Sequence, residues 1–436
     1  MVETPMSFEY PFLDDYRFRD GFGTQAVDWE ERVNYERLRN YRVSRVKEQL
    51  KAYNFGAILS INEWNIRYIS GTWTPVWTTG SSGLRYCLMP VTAKAPILYE
   101  QGEIGYHTRQ MAPWLEKVKV AITGAGWSSI VMGAQAQAAQ REKLTRQIAD
   151  DLKSYGLANE VLALDFWDPG LVDSFQKLGI KASPKGMELM LMARKNKNRD
   201  EVECLKIGAS IVDAQFMAVK NMLRPGVREQ EIVGMCHKVA YDKGAVVYSG
   251  ILCSSGIFSW PNPRDTSDRI IRPGDIVFVD QSNVSYNGYK TCVYRTFCCG
   301  KAPQKAKDDY KRAAEWLYDA IDTIKPGVTT KEIASKWPPC EEVWSDILVK
   351  YEDQTAGSNW AHGLGLSLYE FPLIWREVSL KYPQVIEEGM TFAIEVQHGN
   401  IGGYGGVRIE QMVHVARNGA EILSKWPASE IMEVDY

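Results

Sequence analysis

The segment DQSNVSYNGYKTCVYRTF, residues 280–297, sets an acid, a Tyr-Asn-Gly-Tyr turn and a returning strand in one short piece of chain. Side chains alternate faces along a strand, so Cys292, Tyr294 and Thr296 share one face of the return. A second segment has the same plan. Glu395 ends an apolar run, the turn VQHGNIGGYGG follows, and VRIEQMVHV returns with Arg408, Glu410 and Met412 on one face. Each hairpin thus presents one functional side chain outgoing and one returning: Asp280 with Cys292, Glu395 with Glu410. Between them lies NWAHGLGLSLYEFP, where glycines after His362 let backbones approach closely. One imidazole, two glutamates and an aspartate from separate strands are ligands that hard or borderline divalent ions take. The alternative is that each acid is an ion-pair partner at a strand end. Glu410 fits that poorly, because a carboxylate within a half-buried strand costs free energy unless paired or ligated. Arg408, two residues away, is its candidate partner. Without an ion, acids this close push one another's pKa upward, which suits a general acid or base near neutrality. The cluster would also attract a cationic substrate group.

The elements that must position these residues repeat. LRPGVREQEI (223–232) and IKPGVTTKEI (324–333) each follow a helical run. RPGDIVFVD (272–280) and EEGMTFAIE (387–395) each carry a Gly six positions before the acid that closes an apolar strand. Two helix–strand units, each delivering one acid, predict a pseudo-two-fold domain with its site at the axis. Before residue 181, NYERLRNYRVSRVKEQLKAY (34–53) predicts an amphipathic helix with Leu38, Tyr41, Val43 and Leu50 on one side. AILSINEWNIRYIS, RYCLMPV, APILYE and EVLALDF read as strands. Pro, Gly and dense charge in KASPKGMELMLMARKNKNRDEV mark a boundary. The fold class is therefore α/β (α+β) in two domains: an N-terminal arm over 1–40, an α/β domain over 41–185 and a second domain over 186–436.

Composition narrows the function. Hydrophobic residues at 45% and charged residues at 24% of 436 belong to a soluble globular protein. A net charge of −3 argues against nucleic acid as a partner. No apolar run approaches the ~18 residues of a membrane span. MVETPMSFEYPFLDDYRF has no basic flank before an apolar core, and the eight cysteines show no CxxC spacing. The expectation is a cytoplasmic protein with reduced thiols.

HGLGL followed by Glu370, then EEGMTFAIE, then GGVRIE resembles the pita-bread family of creatinase, Xaa-Pro aminopeptidase, prolidase and methionine aminopeptidase. The overall layout is nearest the dimethylsulfoniopropionate lyase branch. The resemblance implies a creatinase-like N-terminal domain before a pita-bread catalytic domain, assembled as a homodimer. Its metal-binding members carry two Asp, one His and two Glu. These fall on Asp280, Cys292, His362, Glu395 and Glu410, with Asp280 one residue out of register and a thiol at the second Asp. The His that peptidases place before the first hairpin is absent from FSWPNPRD, and another is replaced by Tyr369. The lyase branch's basic Asp would fall at Leu368 or Tyr369.

Two answers for Cys292 stay open: ligand to a softer ion such as zinc or iron, or neutral filler of an ion-free pocket. A third makes it a nucleophile beside His362. The reading carried forward has no cofactor, with one divalent zinc, iron or manganese ion as the alternative. It is a creatinase-like hydrolase cleaving a C–N bond in a small zwitterionic or cationic metabolite. His362, Glu395 and Glu410 move protons, Tyr369 and Tyr294 assist, and Trp77, Arg85, Trp260, Trp360 and Arg408 bind substrate. Trp73 and Arg264 are further candidates for the same role. The alternatives are a C–S or C–N lyase, a metal-dependent Xaa-Pro peptidase and a non-catalytic binding protein.

Overall fold

The computed structural model describes residues 32–73, 82–115, 117–247, 250–261, 264–344 and 359–436. The expected arm over 1–40 lies almost wholly outside them. The chain divides into two compact units, one of residues 1–39 and 54–186, the other of 40–53 and 187–436. Residues 41–53, read from sequence as the start of the α/β domain, group with the second unit.

The first unit is built on a six-stranded sheet in the order Lys117–Val120, Ile97–Glu100, Tyr86–Pro90, Ala57–Ser60, Leu162–Leu164, Ala182–Ser183. Leu144, Ile148 and Leu152 of helix Ala134–Ser154 join Leu59, Leu88 and Phe175 in its core. AILS and the three later segments form strands, but NEWNIRYIS does not continue the first. Asn62 caps a helix over Glu63–Ser70, accepting from the backbone of Trp64 and Asn65, and Gly71 closes it in the left-handed conformation. An Asn cap and a Gly stop outweigh the β preference of the isoleucines between them.

Helix Tyr35–Ala52 forms as expected, but its buried stripe is Leu38, Arg42, Val46 and Leu50, with Val43 only partly covered. Arg42 is inside because its guanidinium donates to the Tyr289 hydroxyl and lies 3.8 Å from Glu201.

In the second unit the predicted repeat is physical. Gly226 and Gly327, and likewise Gly274 and Gly389, all have positive φ. After each Pro-Gly turn a glutamate, Glu231 or Glu332, accepts from the backbone N–H three residues earlier and opens a helix. Strand Ile276–Gln281 pairs antiparallel with Tyr294–Cys299 in a four-stranded sheet. Strand Thr391–Asn400 pairs antiparallel with Gly405–Ala416 in a five-stranded sheet that also holds Trp360–Gly363 and Glu370–Ile374. The hairpins are joined at Thr296, whose hydroxyl donates to the Arg408 carbonyl and accepts from its N–H. Among the described residues no helix is long and apolar enough to cross a membrane.

The loop after His362 is held by a buried acid. Glu370 receives Arg194 Nε at 3.1 Å, Lys197 Nζ at 2.8 Å and the backbone N–H of Ser367. Its carboxylate packs so closely under Gly365 that an added Cβ there would lie 2.6 Å from an oxygen. Burial raises the Glu370 pKa, but Lys197 and Arg194 outweigh it and hold the carboxyl below its ordinary value. Glu370→Gln leaves two buried cations short of their counter-charge, and should cost about 3–5 kcal/mol in denaturant unfolding. A carboxyl with a depressed folded pKa stabilises above its unfolded value and loses that contribution as pH falls through the folded one. The gap between wild type and variant should therefore be full at pH 7 and shrink below about pH 4.

Candidate active site

Antiparallel register sets Glu395 directly opposite Glu410, and Gln397 opposite Arg408. Trp360 pairs with Glu395 from the other side. In the first hairpin Asp280 stands opposite Tyr294. Alternation sends Phe392, Ile394, Val396, Val407, Ile409 and Val413 to the far face, where they share a core with Ala313, Leu317 and Ile321 of helix Gln304–Thr323. The near face carries Glu395, Arg408 and Glu410, and it is buried as well. A polar sheet face turned inward is costly for stability alone and marks the site.

His362 Nδ1 lies 2.9 Å from the Gly363 carbonyl oxygen, which can only accept. The ring proton therefore sits on Nδ1, leaving the Nε2 lone pair facing inward, 3.5 Å from Glu395 Oε1. Burial lowers the His362 pKa to about 4, so the ring is neutral. The other Glu395 oxygen accepts from the Tyr294 hydroxyl at 3.0 Å. Burial first, then the Asp280 charge, pushes the Glu395 carboxyl up, against hydrogen bonds from Tyr294 and Trp360 and the charge of Arg408. Glu410 is fully buried, and no N–H or O–H among the described residues donates to either oxygen. Burial, Glu395 and Asp280 drive its pKa well up, with the Cys292 thiol opposing. Asp280 accepts from Ser282 Oγ at 2.6 Å, and burial raises it to about 7. The same Ser282 hydroxyl lies 3.2 Å from Cys292 Sγ. Arg408 donates to the Pro261 carbonyl at 2.6 Å and feels Tyr294, Glu395 and Asp280. The Tyr369 ring sits 4.7 Å from that of His362 and 5.7 Å from that of Trp360; at 52% exposed it meets solvent.

Nine of the residues singled out from sequence thus fall in one cluster: Asp280, Cys292, Tyr294, Trp360, His362, Tyr369, Glu395, Arg408 and Glu410. Those of the remaining substrate-binding expectations that are among the described residues have other partners. Arg85 is buried in the first unit, 2.8 Å from Glu100 and bonded to Thr72, because a core arginine needs a counter-charge. Arg264 is committed to Glu229 at 3.0 Å. Trp260 wedges against Gly399 and Gly406, where an added Cβ would meet its ring at 2.4 and 2.7 Å, and packs with Val343 and Trp344. Trp73 stacks with the Arg67 guanidinium at 4.0 Å. Trp77 lies outside the described residues. Ser282 escaped the sequence reading, although its spacing of two from Asp280 on a strand-like run is the signal that places both on one side.

Cys292 Sγ, His362 Nε2 and a Glu410 oxygen lie within 4.8 Å of one another, all buried. This donor set fits one ion. A second ion is not matched, since among the described residues the donor atoms that lie together are those of Cys292, His362 and Glu410 alone.

Residues 203–417 match Peptidase_M24, metallopeptidase family M24. Over 260 residues the chain is 29% identical to Xaa-Pro dipeptidase of Pyrococcus furiosus, covering 58% of this chain and 70% of that protein. It is 21% identical over 420 residues to dimethylsulfoniopropionate lyase DddP of Roseovarius nubinhibens, covering 93% and 90%. Among solved structures, Xaa-Pro dipeptidase from Bacillus anthracis superposes with a TM-score of 0.70 at 21% identity, over 92% of this chain and all of that one. Prolidase from Pyrococcus furiosus gives 0.65 at 24%, over 87% and 99%. Identities this low make the last two likenesses of fold.

The cluster also weighs against Cys292 as a nucleophile. Burial and three neighbouring acids push its thiol well above the ordinary value, and its side chain is 6% exposed. Native protein treated with iodoacetamide at pH 8 should leave Cys292 unmodified by peptide mass mapping, while the unfolded chain is alkylated there.

Proposed function

We propose, from the premise that residues 203–417 form a pita-bread domain of metallopeptidase family M24, that this protein hydrolyses a C–N bond in a small zwitterionic molecule. The observation that carries the reading is the placing of Glu395, held between the Tyr294 hydroxyl and His362 Nε2 at the meeting point of two hairpins. A carboxyl so placed can take a proton from water and return it to a leaving nitrogen, as C–N hydrolysis requires. Trp360 orients Glu395 by a hydrogen bond. Tyr369 lies at the solvent side, and Arg408 offsets the charge of Glu395 and Asp280. An ion at this centre would be held by Cys292, His362 and Glu410, and would supply Lewis-acid polarisation of the scissile group. Dipeptides are the first substrates to try, because relatives include Xaa-Pro dipeptidases; creatine-type amidines come next. A cytoplasmic homodimer is part of the same proposal.

One observation favours a second reading, elimination across a C–S or C–N bond: the match to a dimethylsulfoniopropionate lyase runs along 93% of the chain. The two separate cleanly. Hydrolysis in H2¹⁸O places label in the product, whereas elimination yields an unlabelled unsaturated acid absorbing in the far ultraviolet.

With a panel of dipeptides, amidines and sulfonium acids, the expected result is ¹⁸O-labelled product. Glu395→Gln should lower kcat about 10²–10⁴-fold while its circular dichroism matches wild type. An unlabelled unsaturated product, or a variant of undiminished kcat, would sink the hydrolase reading.

A further inference from the structure

We infer that Cys292, His362 and Glu410 form a one-ion site for a borderline divalent cation of the zinc or cobalt kind, with Cys292 bound as thiolate. The three donors come from three separate stretches of chain: the return of the first hairpin, the strand Trp360–Gly363 and the strand Gly405–Ala416. Their ligand atoms are all within 4.8 Å of one another. Ligands around a tetrahedral zinc, at bond lengths of roughly 2.0–2.3 Å, stand about 3.4–3.8 Å apart. Closing on an ion therefore asks for side-chain shifts of about an ångström at most.

Two further features point inward. His362 Nε2 and both Glu410 oxygens are buried and receive no N–H or O–H among the described residues; the one group that reaches the Glu410 carboxylate is the Cys292 thiol, a fellow ligand. The Gly363 carbonyl fixes the His362 tautomer from behind, the outer-shell arrangement that ligating histidines use. Ser282, which reaches both Asp280 and Cys292, holds the thiol in place.

The chemistry of the donors selects the ion. A thiolate beside an imidazole and a carboxylate favours zinc, cobalt or ferrous iron over magnesium, calcium or manganese. Charge agrees: one thiolate and one carboxylate neutralise a divalent cation, while Arg408 faces the remaining acids, Glu395 and Asp280. On binding, the metal–sulfur bond forms as the S–H bond breaks, and the proton leaves to solvent together with any proton on Glu410. The fourth position is left to water, with Glu395 outside the ligand set, 3.5 Å from His362 Nε2.

The inference does not depend on which bond the enzyme cleaves, and its test reads no activity. Protein stripped with chelator and exchanged into metal-free buffer is titrated with Co²⁺ and followed by absorption. The expected result is saturation at one equivalent per chain, with a thiolate-to-cobalt charge-transfer band in the near ultraviolet and four-coordinate d–d bands in the visible. Zn²⁺ should displace the cobalt and erase both. Cys292→Ala should lose the charge-transfer band and bind at least about tenfold more weakly. Cys292→Asp, which keeps a charged ligand, should bind Co²⁺ without that band. Circular dichroism and thermal unfolding of the metal-free proteins confirm that both variants fold. Saturation at two equivalents, a wild-type spectrum without the charge-transfer band, or a band that survives in folded Cys292→Ala would overturn the inference.

Discussion

Bringing three carboxyls, the buried Glu395 and Glu410 and the half-buried Asp280, together at one place is the constraint around which the second unit is organised. Like charges in a medium of low effective dielectric repel strongly, and each also loses its hydration. The sheet holds them regardless, because the opposite faces of the same strands are mostly apolar and pack on helix Gln304–Thr323. Removing the acids from that face would mean slipping the register by one residue, which would expose Phe392, Ile394 and Val396. Hydrophobic burial on one side of the hairpin thus fixes electrostatic strain on the other.

Glu370 shows what a buried acid looks like when its role is purely structural. It has two cations and a backbone N–H, and its carboxyl is held on the low side of its ordinary value. Glu410, equally buried, receives no such donors and is pushed the other way. The two residues are 40 apart in one domain and obey the same physics with opposite signs. That contrast separates scaffold from site more sharply than burial or residue type does.

Much of this was legible in the sequence. The paired Pro-Gly turns and the Gly-to-acid spacing are local signals, and the structure gives them matching backbone conformations. Strand alternation alone put Cys292 with Tyr294, and Arg408 with Glu410. Long-range pairing was the part that stayed hidden. Arg85 and Arg264 were read as free to meet a substrate, but their partners, Glu100 and Glu229, are identified only once the chain has folded. Arg42 was absent from the expected buried side of its helix for the same reason: its partner hydroxyl belongs to Tyr289. In NEWNIRYIS the departure is local: Asn62 caps a helix whose first turn holds Glu63, where the segment had read as strand.

The site also draws on parts of the chain that are distant in sequence. Asp280 and Cys292 come from one hairpin, Glu395 and Glu410 from another more than a hundred residues later. No fragment, and no locally ordered intermediate, can assemble it, so the closure of a long loop must precede any binding there. Whatever occupies the site then engages only the folded domain, and draws the folding equilibrium toward the native state by mass action. The cluster that strains the domain would, with an ion bound, become a clasp on its topology.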